Sequence, residues 1–435
     1  MTFSEQLRQH AADQPDQIAL ICEEQQFSWR ALMQDISRRH SDGRRSDVEA
    51  SSGSNLERAL WGLAQMQAGL PIIGATSGST GAAKRYQRSQ ASWLASFASD
   101  AHEFGLTRHD VVMAPGALTH SLFFYALCHG LYRGARVILT DQFRPDRVLS
   151  QMARHQVTVL YGVPTQLKML IEAHAKFASI RGRVGTEFPS VRWVLSSGAK
   201  WFQEVTAPLQ TMFPRATIAE FYGASELSFV SVAKHGGDPF LPKGSVGRPF
   251  HQVRVAILNA AQKPCAPHEI GRIFVNSGGL FDRYLGPAPA DFSEIFTNEG
   301  SERWCSIGDL GWRDQEGYLF IAGRESRKII SSGKNISPEE IEQVLQTHPL
   351  IQSAAVVSNA DRLRGEALVA VIIPVAAAAV LSRPELMAFL REHLPDFKIP
   401  RRYYVIHHWP LTASGKTDFA AIAQAVAEGN GVALQ

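Results

Sequence analysis

The chain is short of cysteine, of long apolar runs and of any excess of one charge, and each shortage removes a class of protein. Its four cysteines, Cys22, Cys128, Cys265 and Cys305, lie far apart with no Cys-x-x-Cys pair. That spacing argues against a disulfide framework or a metal knuckle and suits reduced thiols. The longest apolar stretch, residues 367–381, is broken by Pro374 and falls short of the ~20 residues that cross a bilayer. No membrane span is expected; the stretch reads as a buried strand followed by a loop or helix start. The opening MTFSEQLRQHAADQPDQ is polar and lacks an apolar signal core, so a cytoplasmic location is expected. A net charge of +3 is nearly balanced and gives no reason to expect a nucleic-acid partner. The basic cluster Arg38, Arg39, Arg44, Arg45 is short and interrupted by Asp42.

What is present is a chain of 435 residues, more than one core usually encloses, so at least two domains are expected. An apolar fraction of 45% with 20% charged residues is ordinary for a globular protein. Between Phe104 and Phe281, the strand-like runs 110–114, 135–140, 158–161 and 191–196 alternate with longer helical stretches. That alternation predicts an α/β domain with largely parallel strands. Residues 247–276 differ, with short turn-bounded strands that suggest an antiparallel or barrel-like patch. Toward the C-terminus, Ser337-Pro338-Glu339-Glu340 reads as a capping box with proline at the first helical position, followed by Ile341, Val344 and Leu345 at helical spacing. Residues 352–358 and 367–373 read as strands. Pro384 opens a helix that places Leu386, Phe389, Leu390 and Leu394 on one face.

The densest chemical signal is Thr76-Ser77-Gly78-Ser79-Thr80-Gly81-Ala82-Ala83-Lys84, with four hydroxyls, two glycines and a closing lysine in nine residues. Glycines let backbone N–H groups converge on an anion, hydroxyls add donors, and the ammonium offsets polyphosphate charge. A flexible Gly/Ser linker shares this composition but needs neither the lysine nor the strand-like lead-in, residues 70–73. The Walker pattern fails both here and at Gly415-Lys416-Thr417, where Pro410 occupies the position of the leading glycine.

Further constellations follow in order. They are Ser197-Gly198-Ala199, Phe221-Tyr222-Gly223-Ala224-Ser225-Glu226, Gly308-Asp309-Leu310-Gly311, Gly323-Arg324, Gly333-Lys334-Asn335-Ile336, and Pro410-Leu411-Thr412-Ala413-Ser414-Gly415-Lys416. Singly, Glu226 is a surface acid, Asp309 a turn residue, Arg324 half of an ion pair and Lys416 an exposed cation. Together they supply what a nucleoside triphosphate requires: a phosphate loop, an acid for Mg²⁺, an acid for ribose hydroxyls, and cations at the transfer site.

From about Thr76 to Asp418 this order resembles the acyl-adenylate-forming superfamily, which includes acyl- and aryl-CoA synthetases, the adenylation domains of peptide synthetases, and luciferases. The segments GDLGWRDQEGYLFIAGR, SGKNISPEEIE and PLTASGKTD carry the likeness. The resemblance implies a large α/β N-terminal AMP-binding domain over residues 1–325, with a small barrel-like patch, and a mobile α+β lid over residues 326–435. It implies that Thr76, Ser77, Gly78, Ser79, Thr80, Gly81 and Lys84 hold the β- and γ-phosphates of ATP. Ser197, Gly198 and Ala199, with Phe221, Tyr222 and Gly223, are the expected walls of the adenine site, and Ser225 adjoins them. Glu226 resembles the Mg²⁺ ligand, Asp309 the ribose-gripping acid assisted by Arg324, and Lys416 the mobile lysine of adenylation. His120 falls at the position of a gate beside the acyl pocket. The implied reaction joins a small carboxylic acid to AMP, then passes the acyl group to CoA or to the phosphopantetheine thiol of an acyl carrier protein.

The likeness also breaks in places. Ala83 and Arg85 replace a proline and a glycine that flank the loop lysine in relatives. Ser326 stands at the hinge, and Ile330 replaces a lysine associated with the thioester step, for which Lys328 substitutes only with a shift of strand register. Residues 18–32 resemble the family's opening, and residues 51–73 then follow almost at once, so the N-terminal domain is expected to be shortened. Three explanations of the shortening stand: a natural minimal form, a surface covered by a partner or a homodimer, or loss of activity. Leu118 to Leu127 contains no acid to pair with an ammonium, which disfavours an α-amino acid. Phe123, Phe124, Tyr125, Val163 and Phe229 suggest instead a fatty or aryl carboxylate. Three readings stand: an acyl- or aryl-CoA synthetase, an acid:carrier-protein ligase docking on Lys398, Arg401 and Arg402, and a non-catalytic nucleotide-binding scaffold.

Overall fold

A computed structural model describes residues 1–41, 53–76, 84–181, 187–199, 201, 203–297, 300–361, 365–375, 381–411 and 417–435, excepting the side chains of 40, 41, 177–181, 203, 360 and 365. Ser77, Gly78, Ser79, Thr80, Gly81 and Lys416 therefore lie outside the described residues, as do residues 42–52.

The expected alternation builds a nine-stranded sheet. Ile18–Cys22, Arg136–Leu139, Val111–Ala114, Val159–Gly162, Trp193–Ser196 and Thr217–Ala224 run parallel in that spatial order. Antiparallel strands finish both edges, Gln25–Ser28 on one side and Ser228–His235 with Arg248–Pro249 on the other. Parallel strands are buried on both faces and so read as continuous apolar runs. Alternate side chains then feed opposite cores. Leu20, Val112, Val137, Val159 and Leu195 pack on one face, under helices Gln90–Phe104 and Ser121–Tyr132. Ile21, Met113, Ile138, Leu160 and Val194 pack on the other, under Pro145–His155 and Pro164–Arg181.

The front of the chain is woven into this core. Leu20, Trp29, Leu32, Ile36, Leu60 and Leu63 share one cluster with Val137 and Leu139. The patch expected near residues 247–276 is a six-stranded antiparallel sheet that runs on to Leu319–Arg324. A third, three-stranded sheet pairs Ile72–Thr76, Lys84–Arg88 and Arg283–Tyr284. The strand-like lead-in to the glycine-rich loop is thus a hairpin arm, closed at its base by the pairing of Thr76 with Lys84.

The C-terminal unit has its own sheet, from Ile329–Ser331 to Val432–Ala433, centred on the long pair Ile351–Asp361 and Gly365–Pro374. Helices Pro338–Gln346 and Arg383–Arg391 cover one face through Ile341, Leu345, Leu386 and Leu390. Helix Phe419–Ala427 covers the other through Ile422 and Val426. The capping box expected at Ser337 does not form. Ser337 occupies the N-cap but makes no side-chain cap bond; its hydroxyl is turned toward the Ala322 carbonyl, to which it donates at 3.0 Å. A complete box closes the next helix instead, between Ser382 and Glu385. Among the described residues no helix is long and apolar enough to cross a membrane.

Candidate active site

The C-terminal ends of the parallel strands are where open α/β sheets bind ligands, and the expected residues gather there. Trp193–Ser196 and Thr217–Ala224 are neighbours in register, Ser196 opposite Glu220, so the segments that follow them emerge side by side. Ser197 Oγ donates to the Phe221 carbonyl at 2.8 Å, tying the two expected adenine walls together, with Gly198 and Ala199 exposed beyond. The ring of Phe221 is a correction: it is buried against Phe229 and Phe250, so any wall it forms is backbone. Gly223 is required for a different reason. A Cβ there would overlap the Ser228 carbonyl oxygen, which is backbone and has no rotamer to yield. Gly223→Ala is expected to lower the unfolding free energy by about 3 kcal/mol, read by thermal or denaturant unfolding; unchanged stability would show that the hairpin can open.

That hairpin, Thr217–Ala224 and Ser228–His235, carries Glu226 at its tip. The carboxylate is buried. Tyr284 donates its hydroxyl to Oε1 at 2.8 Å, and Oε2 has no hydrogen-bond partner among the described residues. Ser225 Oγ donates to Ser121 Oγ at 2.9 Å, which sets the turn against the first residue of helix Ser121–Tyr132. His120 is the N-cap of that helix, so it stands beside the same turn, as does the positive end of the helix dipole.

Asp309 opens strand Asp309–Arg313 and is buried. It joins three segments distant in the chain, accepting from Tyr222 Oη at 2.6 Å and from Arg324 Nε at 2.7 Å. Burial, then the adjacent Asp309 charge, pushes the Tyr222 hydroxyl well above its ordinary range, which keeps it a donor. The Asp309 charge raises Arg324 in turn. Arg324 is 44% exposed, so this pair counts for more in orientation than in stability.

These contacts bring together Ser197, Tyr222, Ser225, Glu226, Asp309 and Arg324, while Thr76 and Lys84 pair with each other in the three-stranded sheet that also carries Tyr284, the partner of Glu226. Phe123, Phe124 and Tyr125 are buried in the core with Trp93 and Phe97, and Val163 and Phe229 are part-buried at its margin. Tyr284 went unmarked in the sequence, where only its hydroxyl beside a run of turn residues hinted at a role.

These residues suit a divalent cation. A buried carboxylate with one oxygen fixed and the other unpartnered is a hard donor, and Mg²⁺ is commonly held by one or two carboxylates together with substrate phosphates. No cluster of three or more His, Cys, Asp or Glu side chains exists among the described residues, so Glu226 would share such an ion with the nucleotide.

Comparison with known proteins agrees with this geometry. Residues 72–285 match the model of the AMP-binding enzyme family, and residues 340–416 match the AMP-binding enzyme C-terminal domain. An uncharacterized acyl-CoA ligase, YhfT, of Bacillus subtilis is 39% identical over 345 residues, covering 79% of this chain and 66% of its own. A 2-succinylbenzoate–CoA ligase of the same species is 30% identical, covering 78% and 66%. A Staphylococcus epidermidis protein described as a putative long chain fatty acid-CoA ligase, VraA, is 30% identical, covering 79% and 69%. The chain thus spans about two thirds of the length of these relatives. In structure, it superposes on o-succinylbenzoate CoA synthetase of Bacillus subtilis in complex with its acyl-adenylate intermediate, at a TM-score of 0.76, 24% identity, and 96% and 97% coverage. The ATP-bound MatB of Rhodopseudomonas palustris gives 0.79 at 20% identity, with 98% and 99% coverage.

Proposed function

The chain belongs to the AMP-binding enzyme family, and from that premise we propose that it uses ATP to activate a carboxylic acid as an acyl-adenylate and then transfers the acyl group to a thiol. The observation that carries this reading is the convergence of Tyr222, Asp309 and Arg324 beside the Ser197–Phe221 junction and the Glu226–Tyr284 pair. Domain limits of 1–325 and 326–435, with a swing at Ser326, belong to the same reading.

A carboxylate attacks an anionic triphosphate poorly, so charge must be offset and the reactants aligned. Asp309 and the adenine walls would orient the nucleoside. Lys84 and the residues before it would hold the outer phosphates, and Glu226 would hold Mg²⁺, which when bound neutralises phosphate charge. Lys416 would bridge the acid and the α-phosphate. The helix end at His120 and Ser121 favours the acid's negative charge. The absence of an acidic side chain between Leu118 and Leu127 supports a fatty or aryl acid over an α-amino acid. CoA is the acceptor that the relatives' names support.

One observation favours the carrier-protein reading: Phe397 is 40% exposed with Lys334 Nζ 4.1 Å from its ring centre, although Lys398, 5.7 Å from the same ring, is already paired with Glu340 at 2.5 Å. The ring and the Lys334 ammonium suit an acidic partner helix. A cytoplasmic setting and a homodimer remain part of the proposal. The test is acid-dependent exchange of labelled pyrophosphate into ATP across fatty, aryl and amino acids. Exchange is expected with apolar acids, and its absence throughout would leave only nucleotide binding. Offering CoA and a holo carrier protein side by side then identifies which gains a thioester.

A further inference from the structure

Arg88, the last residue of strand Lys84–Arg88, is 3% exposed and meets no carboxylate within hydrogen-bonding distance among the described residues. Its Nε donates to Ser92 Oγ at 2.8 Å. Nη2, with two hydrogens, is shared among the Ser92 carbonyl at 3.2 Å, Ser96 Oγ at 2.5 Å and Ser228 Oγ at 3.1 Å. The guanidinium also stands 4.5 Å from the centre of the Trp93 ring. Every acceptor is neutral, and burial lowers the pKa to about 10. A buried cation without a counter-ion is unfavourable, so its bonds are the feature to explain.

Those bonds connect two parts of the active site. The strand that ends in Arg88 begins at Lys84, where the hairpin closes beneath the glycine-rich loop. Ser228 lies two residues beyond Glu226 and holds a left-handed backbone, φ 60°, which a non-glycine residue adopts at a cost. Ser96 Oγ lies 2.7 Å from Ser228 Oγ, so two groups pin this residue. Glu226 itself is held from the same three-stranded sheet. Tyr284 donates to its carboxylate and pairs in register with Tyr86. Both fixed points of the turn, the carboxylate and the residue that ends the turn, are therefore anchored to the sheet that carries the loop.

We propose that Arg88 is a positioning residue whose guanidinium, held at Nε by Ser92 and shared at Nη2 between Ser96 and Ser228, sets the Glu226 turn relative to the loop strand, so that metal and phosphates are gripped as one unit. This rests on the reading of Glu226 as a metal ligand and of residues 76–84 as the phosphate loop. A guanidinium fork reaches several acceptors from one fixed plane, which neither an ammonium nor a thioether reproduces.

The test compares the full-length protein with Arg88→Met, Arg88→Lys and Ser228→Ala. ATP binding is measured by calorimetry with Mg²⁺ and with a chelator, and Mn²⁺ binding by electron paramagnetic resonance in the presence of ATP. The metal is expected to tighten ATP binding in the parent protein. In Arg88→Met that enhancement should fall about tenfold, with metal-free ATP affinity within about twofold of the parent and the KM for the acid unchanged; Arg88→Lys should be intermediate. An undiminished metal enhancement in a variant with a cooperative melt would overturn the proposal, as would equal weakening with and without metal. Should Arg88→Met not fold, Ser228→Ala removes one acceptor and decides by the same comparison. If the parent itself binds ATP equally with and without metal, the assignment of Glu226 falls and this proposal with it. If the parent shows the enhancement and the folded variants keep it in full, the role of Arg88 alone is lost.

Discussion

Replacing Asp309 with asparagine is expected to lower kcat/KM for ATP by about 10²- to 10³-fold, mostly through KM, while the KM for the acid stays within about threefold. Asp309 accepts two hydrogen bonds, from Tyr222 at 2.6 Å and Arg324 at 2.7 Å, and bonds to an ionised group are each worth about 1.5–3 kcal/mol when buried. The Arg324 side of the pair is discounted, since that side chain is 44% exposed and regains water on losing its partner. The Tyr222 side is not. Asparagine presents one accepting atom where the carboxylate presents two, so either the phenol or the guanidinium faces an amide N–H. Ribose hydroxyls meet the same shortage, because they need an acceptor that remains after both protein donors are served. At about 1.4 kcal/mol per decade, roughly 3–4 kcal/mol gives the stated range. Pyrophosphate exchange with ATP varied at saturating acid measures it. A rise in the KM for the acid with unchanged ATP kinetics would place Asp309 at the wrong substrate.

The parts of this site that sequence makes legible are those whose physics is local. The glycine-rich loop, the turn at Asp309 and the strand ending in Arg324 announce themselves by composition and spacing, and the hairpin Ile72–Thr76 with Lys84–Arg88 bears out the strand-like lead-in. The central strands were readable because burial on both faces leaves an unbroken apolar run. What could not be read depends on partners far away in the chain. Tyr284 meets Glu226 across 58 residues and Arg88 meets Ser228 across 140, and nothing in either neighbourhood marks the pairing. Ser337 shows the converse failure: its local pattern promises a capping box, but the side chain is turned toward a carbonyl of strand Leu319–Arg324, that of Ala322, and away from the helix N–H groups. Phe123 to Tyr125 read equally as pocket wall or as core for a related reason: an apolar helix face looks the same in either case, and here the three side chains are buried in the core.

Lys416→Ala should reduce acid-dependent pyrophosphate exchange by about 10²- to 10³-fold, the size of effect that follows removal of one group stabilising transition-state charge. The substitution is suited to a clean reading because the base of its loop is held independently. Leu411 bridges to Thr417, Trp409 Nε1 donates to Thr417 Oγ1 at 3.1 Å, and the Asp418 N–H donates to the Pro410 carbonyl at 2.9 Å. None of these contacts involves Lys416, so the frame they make is expected to survive the substitution, with a melting temperature within about two degrees of the parent. The two half-reactions make the assay discriminating. During adenylation an ammonium between the acid and the α-phosphate offsets charge that grows in the transition state. Once the mixed anhydride exists, thiol attack discharges AMP and the acyl carbon needs no such bridge. A preformed acyl-adenylate supplied to Lys416→Ala should therefore pass its acyl group to the thiol at a rate within about threefold of the parent. Equal losses in both steps would mean that the lysine serves the nucleotide's binding or the lid's closure, not the attack on phosphorus.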